Sequence, residues 1–449
     1  MKYHQLLILL SIISFFEIQG AIAQNNLPTS TPDRITLHLG EDPETAFSVG
    51  FRTSIGVEEA FIEISPENNS PEFEDQILKK KADRKVLDSD GFEAHYFSVN
   101  VTGLDPGKLY VYRVGYEDAW SEWIQVSTTS KNLESFSFIY LGDIQNGIKS
   151  LASRVVRKSF MHQPTASFML YAGDLINRTH NDHEWGEWYG TGGWAHAQIP
   201  ILATPGNHEY TRDEQRNLQL DNHWDKQFNF PKNGPLPYQS SVYYQDFGNM
   251  RIICLDSQLI MLDSVSRHVQ RDWLEEILKN TENQWKVVLM HHPVYSVSDK
   301  RDNPILRELF QPLFEKYKVD MVFQGHDHTY GRGFKPDIPQ GASKGPMYVV
   351  SVAGPKMYTP SLDRWMERAG ANIQLYQIIN INKNQLQYES FTADGKKYDG
   401  FDLIKNTEGN IFKEHWNLDP ESTRLPKGRL EKLSPEEIAT YNRVYNTNY

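Results

Sequence analysis

Hydrophobic and polar residues follow two different patterns along this chain, and the pattern changes near residue 130. Over residues 35–128, short apolar runs such as 46–51 and 94–101 alternate with turn residues and show no helical period. Short strands at this spacing are typical of a small β-sandwich. Over residues 134–404, apolar strands alternate with amphipathic segments, which predicts a second domain of the α/β or α+β class.

Five apolar strands of the second part each end at a group of polar residues. The groups are Gly142-Asp143-Ile144-Gln145, Gly173-Asp174-Leu175-Ile176-Asn177, Gly206-Asn207-His208-Glu209, His291-His292 and Gly325-His326-Asp327-His328. Because open α/β sheets bind ligands at the carboxyl ends of their strands, we expect these groups to meet at one edge of the sheet. The glycine that opens four of the groups allows a tight turn and a close backbone approach.

The rest of the second part predicts more strands, a helix and a polar tail. An amphipathic helix is predicted over residues 265–280, with Val269, Trp273 and Ile277 on its apolar face. Three further strands are predicted, and we expect them to pair antiparallel: residues 347–352, 374–380 and 385–391. Residues 405–449 are polar and weakly patterned, and predict an extension that wraps the surface or is partly disordered.

Composition and charge narrow the class of protein. The chain has 449 residues, a formal net charge of −12 and a single cysteine, Cys254. The acidic excess argues against a nucleic-acid-binding surface. One cysteine excludes an intramolecular disulfide, and its place in the strand-like run 251–256 predicts a buried small hydrophobe.

The first residues have the features of a secretory signal peptide, predicted over residues 1–23. An apolar run at 6–16 is followed by Ala-Ile-Ala at 21–23, a small-residue cleavage site before Gln24. The run is too short to span a bilayer, and no later stretch is apolar and long enough to do so. We therefore expect a secreted or periplasmic protein without a membrane span.

The residue types in the five polar groups suit a site for two metal ions. His326 and His328 are two positions apart, a spacing that does not share a helix face but lets two rings in a loop diverge toward two ions. Mixed Asp, Asn and His ligands suit Zn, Mn or Fe, and two adjacent carboxylates repel each other unless cations lie between them. Two metal ions supply a hydroxide nucleophile and positive charge for phosphoryl chemistry. The alternative for each residue is a buried polar group satisfied by hydrogen bonds.

The five groups resemble the motifs of the calcineurin-like metallophosphoesterases, and the N-terminal part is similar to that of the purple acid phosphatases. The segments that carry the second resemblance are 35–43, 48–53, 104–115 and 120–123. The resemblance extends over roughly residues 30–400. It implies a fibronectin-III-like β-sandwich at residues 28–129, a four-layer α/β/β/α catalytic domain at residues 134–404 and a polar extension at residues 405–449.

The resemblance also implies the ligands of two divalent or trivalent transition-metal ions, Fe, Zn or Mn. The first ion would be bound by Asp143 and His328, and Asp174 would bridge it to the second. The remaining ligands of the second ion would be Asn207, His291 and His326.

Three residues are candidates for contact with the substrate. His208 would hydrogen-bond the phosphate group, whereas His292 either contacts the substrate or serves as a helix-cap or packing residue. Plant members of the family carry a leaving-group histidine shortly after the block that matches His291, and residues 295–301 contain none. Lys300 or Arg301 would stabilise the phosphate charge instead, or the two form a solvated basic pair at the head of a helix.

One ligand position departs from the family pattern. The purple enzymes carry a tyrosine three residues after the bridging aspartate, and this chain has Asn177 there. A tyrosinate is anionic, favours ferric iron and gives the purple colour, whereas Asn is neutral. We therefore predict a colourless or weakly coloured site. One hypothesis is that Gln145 fills the vacant position with its amide oxygen.

These observations lead to one principal hypothesis and two alternatives. The principal hypothesis is a secreted dinuclear-metal phosphoesterase that hydrolyses small phosphate monoesters by attack of a metal-bound hydroxide on phosphorus. The first alternative is a phosphodiesterase or nucleotide-cleaving enzyme on the same centre. The second is a non-catalytic cell-surface or carbohydrate-binding protein with a degenerate phosphatase domain.

Overall fold

A computed structural model describes residues 27–336, 345–406, 409–415, 425, 427–445 and 447–449. The predicted signal peptide at residues 1–23 lies outside the described residues. Within this described part, no helix is both long and apolar enough to cross a membrane.

The N-terminal part is a sandwich of two antiparallel sheets. One sheet has the strand order β1-β2-β6-β5, and the other has the order β4-β3-β7-β8 with β9 also paired to β7. The strands are β1 Asp33–Leu39, β2 Phe47–Ser54, β3 Phe61–Pro66, β4 Leu78–Lys81, β5 Asp83–Ser89, β6 Phe92–Val101, β7 Leu109–Tyr116, β8 Ala119–Trp120 and β9 Ile124–Ser127. Alternate residues of both sheets, such as Val49, Phe97 and Tyr112, fill one apolar core. The predicted β-sandwich is confirmed.

The second part is built on two seven-stranded sheets. The first has the order β12-β11-β10-β22-β23-β24-β25, and the second has the order β15-β16-β17-β18-β20-β19-β21. The strands are β10 Ser135–Leu141, β11 Met169–Tyr171, β12 Ile201–Ala203, β13 Tyr210–Arg212, β14 Leu218–Leu220, β15 Tyr243–Phe247, β16 Met250–Cys254, β17 Trp285–Leu289, β18 Met321–Gln324, β19 Tyr330–Gly333, β20 Met347–Val350, β21 Met366–Gly370, β22 Leu375–Asn382, β23 Gln385–Thr392, β24 Lys397–Asn406 and β25 Gly409–Glu414. Strands β13 and β14 form a separate hairpin.

Parallel pairing sets the position of the strand ends. Strands β10, β11 and β12 are parallel, and so are β16, β17, β18 and β20. A parallel bridge between Asp143 and Val352 joins the two sheets just beyond β10 and β20. The carboxyl ends of the strands that carry the polar groups therefore meet at one edge of the domain.

Helices of the second domain pack on the outer faces of its two sheets, and two short helices contact strands of the sandwich instead. They are α1 Ser153–His162, α2 Asp182–Gly192, α3 Ala195–Gln198, α4 Trp224–Gln227, α5 Ser257–Leu262, α6 Ser264–Lys279, α7 Pro304–Leu309, α8 Gln311–Lys316, α9 Lys427–Leu430 and α10 Pro435–Tyr445. Helix α1 packs on β22 and β10, whereas α6, α7, α8 and α10 share an apolar cluster with the second sheet.

Between the sheets, the fully buried ring of Phe138 packs on those of Phe168 and Phe323, with centroid separations of 4.8 and 5.9 Å. Each contributes about 1.5–3 kcal/mol by burial. The predicted four-layer α/β/β/α arrangement is confirmed.

Two details differ from the sequence expectation. Strand β20, predicted within 347–352 as antiparallel, is parallel to β18 and antiparallel only to β19. The chain reverses direction to enter β19 and reverses again to enter β20, so β20 runs in the direction of β18. Helix α6 buries Ser266, Gln270 and Leu274, so its inner face is partly polar.

The segment after residue 404 contributes to the second domain. The predicted division falls within β24, and β25 adds an edge strand to the first sheet. Helix α10 contacts β21 and buries Tyr441, Val444 and Tyr445 in the apolar cluster of the second sheet.

A buried ion network joins the sandwich to the second domain. Arg34 Nη1 donates to Asp182 Oδ1 at 2.6 Å, and Arg52 Nη1 lies 3.3 Å from Asp182 Oδ2. From the same domain as Asp182, His223 Nε2 lies 3.1 Å from Asp182 Oδ1, and His223 Nδ1 lies 2.9 Å from Asp221 Oδ1. Asp182 begins α2, shortly after the polar group at residues 173–177. The sandwich is therefore anchored beside one of the predicted ligand loops.

We predict that Asp182→Asn lowers the free energy of unfolding by about 3–5 kcal/mol, because it leaves the buried guanidinium of Arg34 without its carboxylate partner, whereas Arg52 keeps Asp33. Burial alone would raise the pKa of Asp182, but hydrogen bonds from His223 and the charge of Arg34 hold it well below its usual range. Burial would lower the pKa of His223, but its hydrogen bonds to Asp182 and Asp221 raise it.

The sign of each shift gives the pH dependence. The contribution of Asp182 is complete above about pH 4 and is lost as the pH falls toward its folded-state pKa, whereas that of His223 is complete below about pH 6.5 and is lost as the pH rises through its raised pKa. Thermal unfolding should show a larger difference between wild type and variant at pH 5.5 than at pH 3. Glu59→Gln, which removes an exposed ion pair with Lys81, is the control and should change the melting temperature little. An Asp182→Asn protein as stable as wild type at pH 5.5 would contradict the assignment.

Candidate metal centre

The five predicted polar groups converge at the carboxyl ends of β10, β11, β12, β17 and β18. Asp143 follows β10, Asp174 follows β11 and Asn207 follows β12. From the second sheet, His291 follows β17, and His326 and His328 follow β18. The first sheet thus supplies the oxygen ligands and the second sheet supplies the imidazoles.

The ligand atoms form two groups that share one residue. Atoms of Asp143, Asp174 and His328 lie within 4.8 Å of one another, and so do atoms of Asp174, His291 and His326. His328 Nε2 lies 3.4 Å from Asp143 Oδ2, and His291 Nε2 lies 3.3 Å from Asp174 Oδ2. Asn207 Oδ1 joins the second group, 3.2 Å from His291 Nε2. Asp174 therefore occupies the shared position, between the two groups.

The loops hold three of the ligands in the left-handed backbone region, which residues other than glycine rarely adopt. Asp174, His326 and His328 have φ angles of 50°, 72° and 47°, and each such residue costs of order 1–3 kcal/mol. Two glycines allow the carboxylates to pack this closely. A Cβ atom at Gly206 would overlap Asp174 Oδ1, and one at Gly325 would overlap Asp143 Oδ1.

Backbone hydrogen bonds orient the histidine rings. His291 Nδ1 donates to the carbonyl oxygen of Ala172 at 2.8 Å, and His328 Nδ1 faces the carbonyl oxygen of Lys356 at 3.2 Å. Because a carbonyl oxygen only accepts, each bond places a proton on Nδ1 and leaves the Nε2 of a neutral ring as a lone-pair ligand directed at the centre.

Glu209 ties the ligand loops together, and the sequence analysis did not single it out. Its Oε2 accepts the N–H groups of Asp174 at 2.9 Å and Gly206 at 2.7 Å, and its Oε1 accepts those of Leu175 and Ile176 at 2.7 and 3.3 Å. Burial and the charge of Asp174 raise the pKa of this fully buried carboxyl to about 8. In the sequence, the feature that could have indicated its role is its position directly after the predicted site residues Asn207 and His208.

Electrostatics in the centre favour bound cations. Asp143 is fully buried, and within the described residues its Oδ2 has no hydrogen-bond partner. Burial raises the pKa of Asp143 to about 7; the charge of His291 opposes this rise and that of Asp174 adds to it. Burial also opposes ionisation of Asp174, but the charge and hydrogen bond of His291 lower its pKa.

The two ligand imidazoles outside the Asp174–His291 pair, those of His328 and His326, both have lowered pKa values. Burial, with the charge of Lys356, lowers the pKa of His328 to about 3, and burial with the neighbouring His292 lowers that of His326 well below its usual range. Neutral imidazoles, two carboxylates and an amide oxygen form a donor set that fits two borderline transition-metal ions.

Gln145 lies within the centre. Its Nε2 donates to Asp174 Oδ2 at 2.6 Å and lies 3.2 Å from His328 Nε2, while its Oε1 accepts from Asn146 Nδ2 at 3.0 Å. A half-turn of the amide would exchange Nε2 and Oε1. The position is compatible with the predicted amide-oxygen ligand, which stays a prediction.

The three candidate substrate-binding residues lie around the second group. His208 Nδ1 lies 2.6 Å from the carbonyl oxygen of Asn177. His292 is 6% exposed, with Nδ1 3.0 Å from Ser257 Oγ and its ring centroid 4.2 Å from that of His326. Burial lowers the pKa of His292 to about 3. These contacts fit the packing role for His292 better than substrate contact.

Arg301 lies against the last ligand loop. Its Nη1 donates to the carbonyl oxygen of His326 at 2.8 Å and to Asp327 Oδ1 at 3.2 Å. The sequence analysis assigned no role to Asp327, Lys356 or Tyr358. Asp327 Oδ2 accepts from Ser296 Oγ and from two backbone N–H groups, and so fixes this loop.

The comparisons with known proteins match both parts of the chain. A family model described as "Calcineurin-like phosphoesterase" matches residues 136–330, and one described as "Purple acid Phosphatase, N-terminal domain" matches residues 32–128. A phosphoenolpyruvate phosphatase of Allium cepa is 23% identical over 344 residues, 73% of this chain and 67% of that protein. Purple acid phosphatase 1 of Ipomoea batatas is 27% identical over 253 residues, 52% of this chain and 50% of its own. This chain thus spans about half to two thirds of these two relatives.

A solved structure of a purple acid phosphatase from yellow lupin (Lupinus luteus) seeds has the same fold. It superposes with a TM-score of 0.69 and 18% identity, over 84% of this chain and 75% of its own. Together with the two family models, this shared fold confirms the predicted succession of a β-sandwich and a phosphoesterase domain.

We predict that Asp143→Asn stabilises the metal-free protein above pH 7 while it weakens stabilisation by added metal. In wild type, the raised pKa means that stability without metal falls as the pH rises from about 4 through 7, by roughly 2–4 kcal/mol in total. The amide carries no charge and removes this loss. Thermal unfolding of chelated protein at pH 5 and pH 8, followed by titration with Zn or Mn, measures both effects.

Asp272→Asn is the control for the Asp143 variant, because its side chain is 65% exposed and carries only a surface ion pair with Arg271. It should follow wild type at both pH values. A chelated Asp143→Asn protein that is less stable than wild type at pH 8 would contradict the electrostatic account.

Proposed function

This chain belongs to the purple acid phosphatase family within the calcineurin-like phosphoesterases, which are metal-dependent hydrolases of phosphoric esters, and we propose that it is a secreted phosphate monoesterase with a dinuclear centre. The observation that supports this most directly is the pair of ligand groups that share Asp174. The predicted signal peptide supports secretion, and the name of the Allium cepa relative favours a monoester substrate.

The residues that would hold the ions are Asp143, Asp174, Asn207, His291, His326 and His328, with Gln145 as the further candidate. When bound, two metal ions supply positive charge to a phosphoryl group and lower the pKa of a water molecule toward neutrality. The chain contributes the fixed positions of the ligands. Backbone hydrogen bonds hold two of the three rings, and Glu209 holds the loops of Asp174 and Asn207.

His208 is the residue best placed to contact the phosphate outside the ligand set. Its backbone N–H donates to Asp174 Oδ1 at 2.9 Å, so its main chain is held beside the shared carboxylate. The bond between Nδ1 and the carbonyl oxygen of Asn177 keeps a proton on Nδ1. Nε2 therefore accepts a proton when the ring is neutral, and donates a hydrogen bond to a phosphate oxygen when the ring is protonated.

The alternatives differ in what the centre would act on. A phosphodiesterase would use the same metal ligands, so only an assay of substrates distinguishes it from a monoesterase. A non-catalytic binding protein has no need for a complete donor set with an unpartnered buried carboxylate oxygen, and Asp143 Oδ2 is such an atom within the described residues. The monoesterase is the proposal that the donor set and the relatives support best.

We predict that metal-loaded wild type hydrolyses a phosphomonoester and that Asp174→Ala loses more than about a hundredfold in kcat/KM. Residues that only support a ligand already contribute 10- to 100-fold, and Asp174 serves both groups. Metal content by mass spectrometry and rates on 4-nitrophenyl phosphate and bis(4-nitrophenyl) phosphate measure the effect. His268→Ala, which alters an exposed histidine on α6, should behave as wild type. Wild-type activity on the diester alone would replace the proposal with the phosphodiesterase.

We also predict that the iron-loaded protein lacks a strong tyrosinate charge-transfer band, because Asn177 stands at the position predicted for the ligand tyrosine. Visible spectra of wild type and Asn177→Tyr measure this, and the variant should gain colour. The ring of Tyr358 lies 4.8 Å from that of His328 by centroids, so Tyr358→Phe is the informative control. A strong wild-type band, whether or not it survives in Tyr358→Phe, would contradict the prediction.

A further inference from the structure

Two cations and one aromatic ring form a continuous feature beside the candidate centre. The guanidinium carbon of Arg301 lies 4.9 Å from the ring centroid of Tyr358, and Lys356 Nζ lies 5.3 Å from the same centroid. Both distances are typical of cation–π contacts. We call Arg301, Tyr358 and Lys356 the cationic arch.

The arch is built onto the ligand histidines by backbone contacts. The backbone N–H of Tyr358 donates to the carbonyl oxygen of His328 at 3.1 Å, and the carbonyl oxygen of Lys356 faces His328 Nδ1 at 3.2 Å. Arg301 donates to the carbonyl oxygen of His326 at 2.8 Å. The arch therefore lies against the single loop that carries His326 and His328, a ligand of each proposed metal position, and its placement depends on main-chain atoms of that loop rather than on the side chain of Lys356.

The two cations differ in how their charge is balanced. Arg301 is 32% exposed and pairs with the buried Asp327, so its charge is largely matched. Lys356 is partly exposed, and no carboxylate of the described residues lies within 4 Å of its Nζ. An unmatched ammonium beside a site for two metal cations is unfavourable unless an anion is also present there.

The position of Lys356 indicates which anion it serves. The ring of Tyr358 contacts both groups: its centroid lies 5.3 Å from Lys356 Nζ and 4.8 Å from the ring centroid of His328, so the ammonium group lies beside the ligand set without belonging to it. Because the ligand set would itself hold the phosphoryl group, the part of a small ester left for Lys356 to contact is the leaving group.

We propose that the cationic arch binds the leaving-group side of the substrate and selects phosphate monoesters whose leaving group carries a second anionic group, a carboxylate or a further phosphate. The proposal rests on the phosphatase function proposed above. Lys356 supplies the charge, and Tyr358 supplies an apolar face for the atoms between the ester oxygen and the second anion. Lys356 is thus a specificity-determining residue.

The test compares an ester that carries a carboxylate with its methyl ester, 3-carboxyphenyl phosphate and 3-(methoxycarbonyl)phenyl phosphate, with metal-loaded full-length protein. Wild type should prefer the carboxylate by roughly five- to twentyfold in kcat/KM at low salt, as expected for one partly exposed charge-assisted contact. The preference should shrink in 0.5 M salt because the contact is screened. Lys356→Gln should bring the ratio close to one, and Lys356→Arg should restore it.

Lys79→Gln is the matched control, because Lys79 also lies over aromatic rings but in the sandwich, with Nζ 4.8 Å from the ring centroid of Phe61. It should keep the wild-type ratio. A metal-loaded wild type that hydrolyses both esters without preference, or a Lys356→Gln protein that keeps the preference, overturns the inference and leaves the phosphatase function standing. A wild type that hydrolyses neither ester overturns both.

Discussion

The burial of two carboxylates at one edge of a double sheet is the constraint on which this structure depends. Atoms of Asp143 and Asp174 lie within 4.8 Å of a common set of ligands, and both side chains are at most 1% exposed. At this separation, two like charges repel by about 3–4 kcal/mol even at an effective dielectric constant of 20. Only cations placed between them remove this cost without removing the charges. The raised pKa of Asp143 follows from its burial and from the neighbouring charge of Asp174, whereas burial lowers the pKa values of His326 and His328.

Much of the surrounding chain serves to keep the loops of these carboxylates in place. Glu209 accepts hydrogen bonds from four backbone N–H groups of two loops. Its buried carboxyl group therefore satisfies donors that would otherwise lack a partner away from water. The sandwich adds a second support, because Arg34 and Arg52 hold Asp182. Asp182 lies five residues after Asn177, whose carbonyl oxygen orients His208. The N-terminal domain is therefore linked to the proposed substrate contact through a short segment.

The sequence predicted the parts of this fold that depend on local patterns. Strand ends, glycine turns and the types of ligand are all readable within a few residues, and the proposed ligands Asp143, Asp174 and His328 lie together as expected. The features that the sequence did not predict, such as the buried face of α6, depend on contacts between residues far apart in the chain. Gln270 is buried on α6 because its amide bonds the N–H and C=O groups of Asp256, 14 residues away, and apolar periodicity cannot predict such a face. The direction of β20 likewise depends on the insertion of β19.

The hydrogen bonds around His291 are a second reason to expect a bound cation. Asn207 Oδ1, Asp174 Oδ2 and His326 Nδ1 all lie 3.2–3.3 Å from His291 Nε2, and the oxygens can only accept. Because Nδ1 already donates to the carbonyl oxygen of Ala172, a neutral ring would turn a lone pair toward these acceptors. In the metal-free protein the position needs a proton, and although burial opposes it, the charge of Asp174 raises the pKa of His291 to about 10. A metal ion satisfies the same acceptors and the freed lone pair, so metal binding here displaces a proton and strengthens as the pH rises.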